Sequence, residues 1–274
     1  MNSSKYAITF ACFNQVEYTK KCINSMIKHG LDLSRLVVVD NASTDETVSY
    51  LETLPLGVLI LNRSNLGCGV AWNQGALALQ AEWTVVMNND VIVSDKWIEN
   101  LIEAAEKHHL KVISPAMIEG ELDYDFEQFS TEASIRMQSV MRFGERHAVC
   151  LAVHQTVWQE VGYFQPIPKL LGYEDTMFFH ELAKAKVATG MTGSSWLHHF
   201  GSITQTAMKQ ERGLSQKDGL ANRYNYRLLQ QSWLTRKINK IRRINQSKMW
   251  RSRELEQFKM SIYGSRLGGQ FIWK

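Results

Sequence analysis

Three clusters of side chains in this sequence have the right types to do chemistry together. The first is Asn88-Asn89-Asp90, which follows the apolar residues Trp83, Val85, Val86 and Met87 almost without a gap. A short apolar run with β-branched residues predicts a buried strand, so the polar triplet falls at its carboxyl end. In open α/β sheets, ligands bind in the crevice outside the carboxyl ends of strands. A carboxylate there can hold a hard cation, and the cation can hold phosphate oxygens. The second cluster is His198-His199, just ahead of Phe200-Gly201-Ser202. Neighbours on a strand face opposite ways, so one of the two imidazoles must point at the crevice. Oxygen and imidazole together suit Mn²⁺, and Mg²⁺ less well. The third cluster is Glu174-Asp175, at a predicted helix start after Gly172. Acids there either complement the helix dipole or take a proton from an acceptor hydroxyl.

The elements that must position these groups alternate. Tyr6 to Phe13 predicts a strand ending at Asn14, and Tyr18 to Ile27 a helix stopped by Gly30. Leu36 to Val39 predicts a second strand, ending at Asp40-Asn41, with Ser43 or Thr44 capping the next helix. Gly57 to Leu61 is a third strand, and Asn65-Leu66-Gly67-Cys68-Gly69 a glycine turn into a helix over 70–80. After the strand that ends in the triplet, Ser94 and Asp95 are expected to cap a helix carrying Trp97, Ile98, Leu101 and Ile102. Strands and helices at this spacing predict a mostly parallel, doubly wound sheet. Further on, Lys111 to Ser114 reads as a short strand and Glu119 to Gln128 as an acidic surface loop. His147 to Val153 and Ser195 to Phe200 read as strands, with short helices from Thr156 and Glu174.

The first strand runs into Cys12-Phe13-Asn14-Gln15 rather than Gly-x-Gly-x-x-Gly, which argues against NAD and similar cofactors. Asp40 stands where an acid can bond a ribose. The four cysteines are scattered, without metal-ligand pairs, as in a protein with reduced thiols. No stretch is long and apolar enough to span a bilayer, and no basic-then-apolar leader opens the sequence, so the expected location is cytoplasmic. Charge is lopsided. Sixteen of the 31 Lys and Arg, but four of the 27 Asp and Glu, fall from Thr204 onward; that segment carries +12 and the rest −8. Leu234, Ile238 and Ile241 share one helical face, with Arg236, Lys240 and Arg243 opposite. A basic amphipathic helix of this kind either lies on an anionic membrane surface, at its inner face, or packs on the body with its basic side in water.

Several segments together resemble the inverting family 2 glycosyltransferases. Val38-Val39-Asp40-Asn41-Ala42-Ser43-Thr44-Asp45 resembles the family's second-strand motif, and Asn65 to Gly75 its Asn-x-Gly…Asn-x-Gly element. Asn88-Asn89-Asp90 occupies the place of the DXD motif, with Asn88 where the family has an acid. Cys150 through Gly162-Tyr163-Phe164 to Tyr173-Glu174-Asp175 resembles the acceptor-side block ending in the catalytic carboxylate, and His198 to Ser202 the late His motif. The resemblance implies a GT-A fold: a Rossmann-like, mostly parallel central sheet flanked by helices, with a C-terminal helical extension. The implied division is residues 1–203 as the transferase domain (1–114 nucleotide-sugar half, 115–203 acceptor half) and 204–274 as a basic helical region.

The implied chemistry is single-step transfer with inversion, from a nucleotide-diphosphate sugar to a hydroxyl of a glycan or lipid-linked acceptor, in bacterial surface polysaccharide synthesis. Asp175 is the implied base, with Glu174 beside it. Ala11, Phe13, Asn14, Asp40, Asn41, Asn65, Gly67, Asn73, Asn88 and Asn89 are the implied donor contacts. Asp90, with His199 or His198, is the implied holder of Mn²⁺ or Mg²⁺. Two other readings stand beside it: a sugar-phosphate nucleotidyltransferase, and a degenerate domain that binds a glycan or scaffolds a partner. Nucleic acid is not an expected partner, since no recognised nucleic-acid module accompanies the basic segment.

Overall fold

The central strands form where apolar and β-branched residues run together, and they are buried almost throughout. In the computed structural model, which describes residues 5–166, 174–201, 203, 206 and 231–274, the first is β1 (Tyr6–Cys12). It lies between two parallel neighbours, β2 (Leu36–Asp40) and β4 (Trp83–Asn88). The register sets Cys12 beside Asp40 and Ala11 beside Asn88, so the polar carboxyl ends of three strands form one rim. β3 (Val58–Leu61) closes this side of the sheet.

The other side is mixed. β8 (Cys150–His154) runs antiparallel to both β4 and β6 (Val112–Gly120). β9 (Thr189–His199) follows β6 in parallel through a register shift at Pro115/Ala116, and pairs antiparallel with β5 (Val91–Val93) and β7 (Met141–Phe143). The pairings Val91 to His199 and Glu119 to His199 carry the late histidine back to the rim.

Helices α1 (Val16–Lys28), α2 (Thr47–Leu51), α3 (Cys68–Ala78) and α4 (Trp97–Lys107) flank the sheet. Two glycines make α3 fit. Gly67 opens it at φ 84°, in the left-handed region. Gly75 leaves no room for a side chain, because a Cβ there would overlap the Thr9 side chain of β1.

The structure departs from the sequence-based expectations in several places. The strand from Lys111 is longer than four residues, and Glu119 belongs to it rather than to a surface loop. The supposed loop gives way to α5 (Phe126–Met137), capped by Asp125, whose carboxylate accepts from the Gln128 N–H at 2.9 Å. Ser94 is no helix cap. It is buried and accepts the Trp196 N–H at 3.3 Å, tying β9 to the segment after β5, while Lys96 opens α4 in a left-handed conformation. Two shorter helices, α6 (Gln155–Glu160) and α7 (Glu174–Lys184), lie near their expected places.

The last part of the chain is not simply helical. After α8 (Trp233–Phe258) come β10 (Tyr263–Leu267), parallel to β6, and β11 (Gln270–Trp273), antiparallel to β10. Residues assigned to a separate basic region therefore extend the central sheet. Gly172, Tyr173, Ser202 and most of 204–230, all named in the sequence reading, lie outside the described residues.

Candidate active site

A cleft of about 700 Å³ opens over the strand rim. Asn88, Asn89, Asp90, His199, Glu174 and Asp175 all line it. Three elements distant in sequence thus bring the three clusters into one cavity.

Asp90 follows β4, and the N–H of Phe200 donates to its carbonyl at 3.0 Å, which holds the end of β9 against it. His199 Nε2 consequently lies 3.3 Å from Asp90 Oδ1 and 3.4 Å from Asn88 Nδ2. Both the Asp90 and His199 side chains are only 6% exposed. On the ring's other side the buried Nδ1 is 3.8 Å from Glu119 Oε1, beyond hydrogen-bond reach, and has no hydrogen-bond partner among the described residues. Burial pushes the Glu119 carboxyl up, but the Lys274 ammonium at 2.8 Å, with His199 and Tyr263, brings it below the usual carboxylate range. The imidazole is held between two carboxylates, one of them fixed by Lys274.

The histidine pair separates. His198 is fully buried on the opposite face of β9, where its Nδ1 lies 3.0 Å from the Tyr124 hydroxyl and its ring packs edge-on against Tyr124, Phe126 and Phe200. It is no part of the cleft. Alternation along the strand is the whole reason.

Asp90 and His199 offer a carboxylate oxygen and an imidazole nitrogen, donors that fit a divalent ion. Among the described residues no third His, Cys, Asp or Glu completes a cluster. A cation held by one carboxylate and one imidazole draws its other ligands from substrate phosphates and water, which is how such ions commonly bind.

Glu174 and Asp175 occupy the first turn of α7. Glu174 backs onto Gly69 at the start of α3, where an added Cβ would lie 3.2 Å from its own. Asp175 Oδ1 accepts from the Thr176 N–H at 2.7 Å, and its second oxygen makes no hydrogen bond among the described residues. Cys68 links the groups electrostatically. Burial first, then Glu174, Asp90 and Asp175, push its thiol up to about 12, so the three acids share one space.

The residues expected around a nucleotide divide into wall and frame. Ala11, Phe13, Asn41, Asn65 and Gly67 line the cleft. Asp40 stands behind the wall. It is 1% exposed, accepts the Ser43 N–H at 2.9 Å and meets the Cys12 thiol at 3.5 Å. Asn14 has φ 53°, and its Oδ1 accepts the Thr44 N–H at 2.7 Å, clamping the loop after β1 to the loop after β2. Asn73 is a latch rather than a wall residue. Its amide donates to the Phe164 carbonyl at 2.7 Å and accepts the Phe164 N–H at 3.0 Å. Asn89 lines the cleft while its amide donates to Thr19 Oγ1 at 2.9 Å.

Other wall residues had no local signature. Glu119 on β6, and Arg146 and His147 between β7 and β8, all face the cavity. Burial lowers the pKa of His147 to about 4, against a partly opposing hydrogen bond to the Pro115 carbonyl at 2.9 Å. From α8 come Arg243, Gln246 and Trp250. Their spacing puts them on one helical face, a signal present in the sequence but overshadowed there by the apolar stripe opposite.

The family model for glycosyl transferase family 2 matches residues 8–170, more than half of the chain. An uncharacterized glycosyltransferase of Haemophilus influenzae is 26% identical over 111 residues, which is 39% of this chain and 34% of that protein. Among solved structures, GalNAc-T7 with UDP, GalNAc and Mn²⁺ is similar at TM-score 0.57 and 14% identity, over 72% of this chain and 43% of that one. S. aureus TarS residues 1–349 with UDP-GlcNAc is similar at TM-score 0.53 and 17% identity, over 73% and 61%. At these identities the likeness is one of fold, and it identifies the GT-A architecture. The chain spans about a third of the curated relative's length.

Proposed function

The chain belongs to glycosyl transferase family 2, and from that premise we propose that it transfers a sugar, with inversion, from a nucleotide-diphosphate donor to an acceptor hydroxyl. The observation that carries the reading is the meeting of Asp90, His199 and Asp175 in one cleft at the strand ends. The donor lies across the rim formed by β1, β2 and β4, with Phe13, Asn41, Asn65 and Gly67 against the nucleoside and Asn88 and Asn89 towards the diphosphate. Asp90 and His199 would hold Mn²⁺ or Mg²⁺, which when bound offsets negative charge growing on the leaving diphosphate. Asp175 takes the proton from the acceptor hydroxyl as its oxygen attacks the anomeric carbon. The nucleoside diphosphate leaves from the opposite face, so one base suffices and configuration inverts.

A donor screen tests this. Incubated with a panel of nucleotide-diphosphate sugars and Mn²⁺, the protein should release diphosphate from one of them, and a chelator should stop the release. His199→Ala should weaken Mn²⁺-dependent nucleotide binding by about tenfold or more, since losing even a group that only supports a metal ligand costs about that much. Unchanged Mn²⁺ dependence in that variant would remove His199 from the metal assignment.

We further propose that the acceptor is a lipid-linked saccharide presented at an anionic membrane, as in bacterial surface polysaccharide synthesis. Helix α8 supports this because its amphipathicity is inverted. Arg243, Gln246 and Trp250 face the cleft, while Trp233, Leu234, Ile238, Ile241 and Ile244 are 42–64% exposed. Lys237, Lys240, Arg242 and Lys248 are interspersed with that apolar stripe. Apolar side chains flanked by cations suit an anionic bilayer surface. No described helix is long and apolar enough to cross a membrane. Ile238→Glu/Ile241→Glu should abolish sedimentation with phosphatidylglycerol vesicles; equal sedimentation of variant and parent would reject this surface.

A further inference from the structure

Among the described residues Arg146 has neutral partners only. Its Nη1 donates to the Gly144 carbonyl at 2.6 Å and its Nη2 to the Phe179 carbonyl at 3.3 Å. Its guanidinium stacks 4.7 Å from the centre of the Phe179 ring, and its buried Nε has no hydrogen-bond partner among the described residues. Arg243, from α8, lines the same cavity. Among the described residues no carboxylate lies within ion-pair distance of either guanidinium. Burial holds the Arg146 pKa below the usual arginine value; Glu145 opposes this and Arg243 adds to it. Carboxylates line the same cavity, Glu145 and Asp175 among them, yet none pairs with either arginine, and a largely desolvated guanidinium without a paired counter-charge is unfavourable until an anion joins it. Arginine forks match phosphate oxygens in shape as well as charge.

Position indicates whose phosphate. Arg146 is bound to the backbone of Phe179, one turn beyond Asp175 on α7. The hydroxyl that Asp175 deprotonates must approach along this helix, whereas the donor occupies the rim of β1, β2 and β4. We propose that Arg146 and Arg243 form a phosphate-binding subsite for the acceptor, so that the enzyme selects acceptors carrying a phosphate near the hydroxyl to be glycosylated. The assignment to the acceptor rests on the transferase reading with Asp175 as its base; the subsite itself is a property of the cavity.

The test titrates inorganic phosphate calorimetrically into the full chain, with and without saturating UDP and Mn²⁺. Phosphate should bind in both conditions. Arg243→Gln, on an exposed helix and safe for folding, should weaken it about tenfold or more, and Arg146→Met likewise, with UDP affinity kept within about twofold. Glucose 1-phosphate should bind about tenfold or more tightly than methyl glucoside to the parent, and no better than it to Arg243→Gln. Competition between phosphate and UDP would overturn the proposal by giving the arginines to the donor. So would parental phosphate affinity in Arg243→Gln, or equal binding of the two sugars by the parent. A chain that binds phosphate as described but no UDP would support the subsite while counting against the transferase reading.

Discussion

Asp175→Asn should bind donor and metal as the parent does and lose about 10²- to 10⁴-fold in turnover, the share that a positioned general base supplies. The substitution is nearly isosteric and keeps the Oδ1 acceptor that the Thr176 N–H uses at 2.7 Å, so α7 should start as before. What disappears is the proton acceptor. The neighbour separates charge from position: Glu174→Gln removes an equal charge from the same cavity, packed on Gly69. Loss through general electrostatics would cost both variants alike; loss of the base costs Asp175→Asn far more. Single-turnover rates with enzyme in excess of donor and acceptor saturating, beside donor affinity by calorimetry, make the distinction. Turnover in Asp175→Asn within threefold of the parent would dismiss this residue as the base.

Glu254→Ala should destabilise the fold by about 3–5 kcal/mol, the usual cost of leaving one member of a buried ion pair alone. Arg142 on β7 and Glu254 on α8 are 1% and 6% exposed and meet in a fork, Nε to Oε1 at 2.8 Å and Nη2 to Oε2 at 2.9 Å. Arg142 also donates to Ser261 Oγ at 2.7 Å, and Glu254 accepts the Ile262 N–H at 3.1 Å. The pair therefore pins α8 and the entry to β10 onto the sheet. Removing the carboxylate strands a guanidinium and an amide away from water. Replacing both ends with apolar groups, Arg142→Met with Glu254→Leu, should restore most of the loss, because neither charge is then desolvated. Urea unfolding of the three chains reads this directly; a loss under about 1 kcal/mol for Glu254→Ala would mean that water reaches the pair.

Local chemistry was legible in the sequence, and distant partnerships were not. Val85 to Asp90 is a strand and its polar tip whichever way the chain folds, and the tips of β1 and β2 are equally plain. Strand alternation promised that one of His198 and His199 would face inward, but Tyr124, which claims His198, lies 74 residues away. Glu119 reads as loop in the sequence because its neighbours are acidic and unpatterned; the Lys274 that neutralises it is 155 residues on. β10 and β11 hid among glycines and basic residues, since Tyr263 to Leu267 makes sense as a strand only beside β6. Asn73 matched a motif, yet its amide serves the backbone of Phe164 across 91 residues. Such roles are set by the partner, and a sequence names partners only through folding.

The aromatic nest around His198 also acts as a gauge. A strand cannot exchange the directions of two adjacent side chains by small adjustment; it must slide by one whole residue. Sliding β9 by that step would thrust His199 among Tyr124, Phe126 and Phe200 and turn His198 towards Asp90, leaving a ring-shaped hole on one side and a mis-set imidazole on the other. Residues that never meet a substrate thus choose which nitrogen the cleft presents.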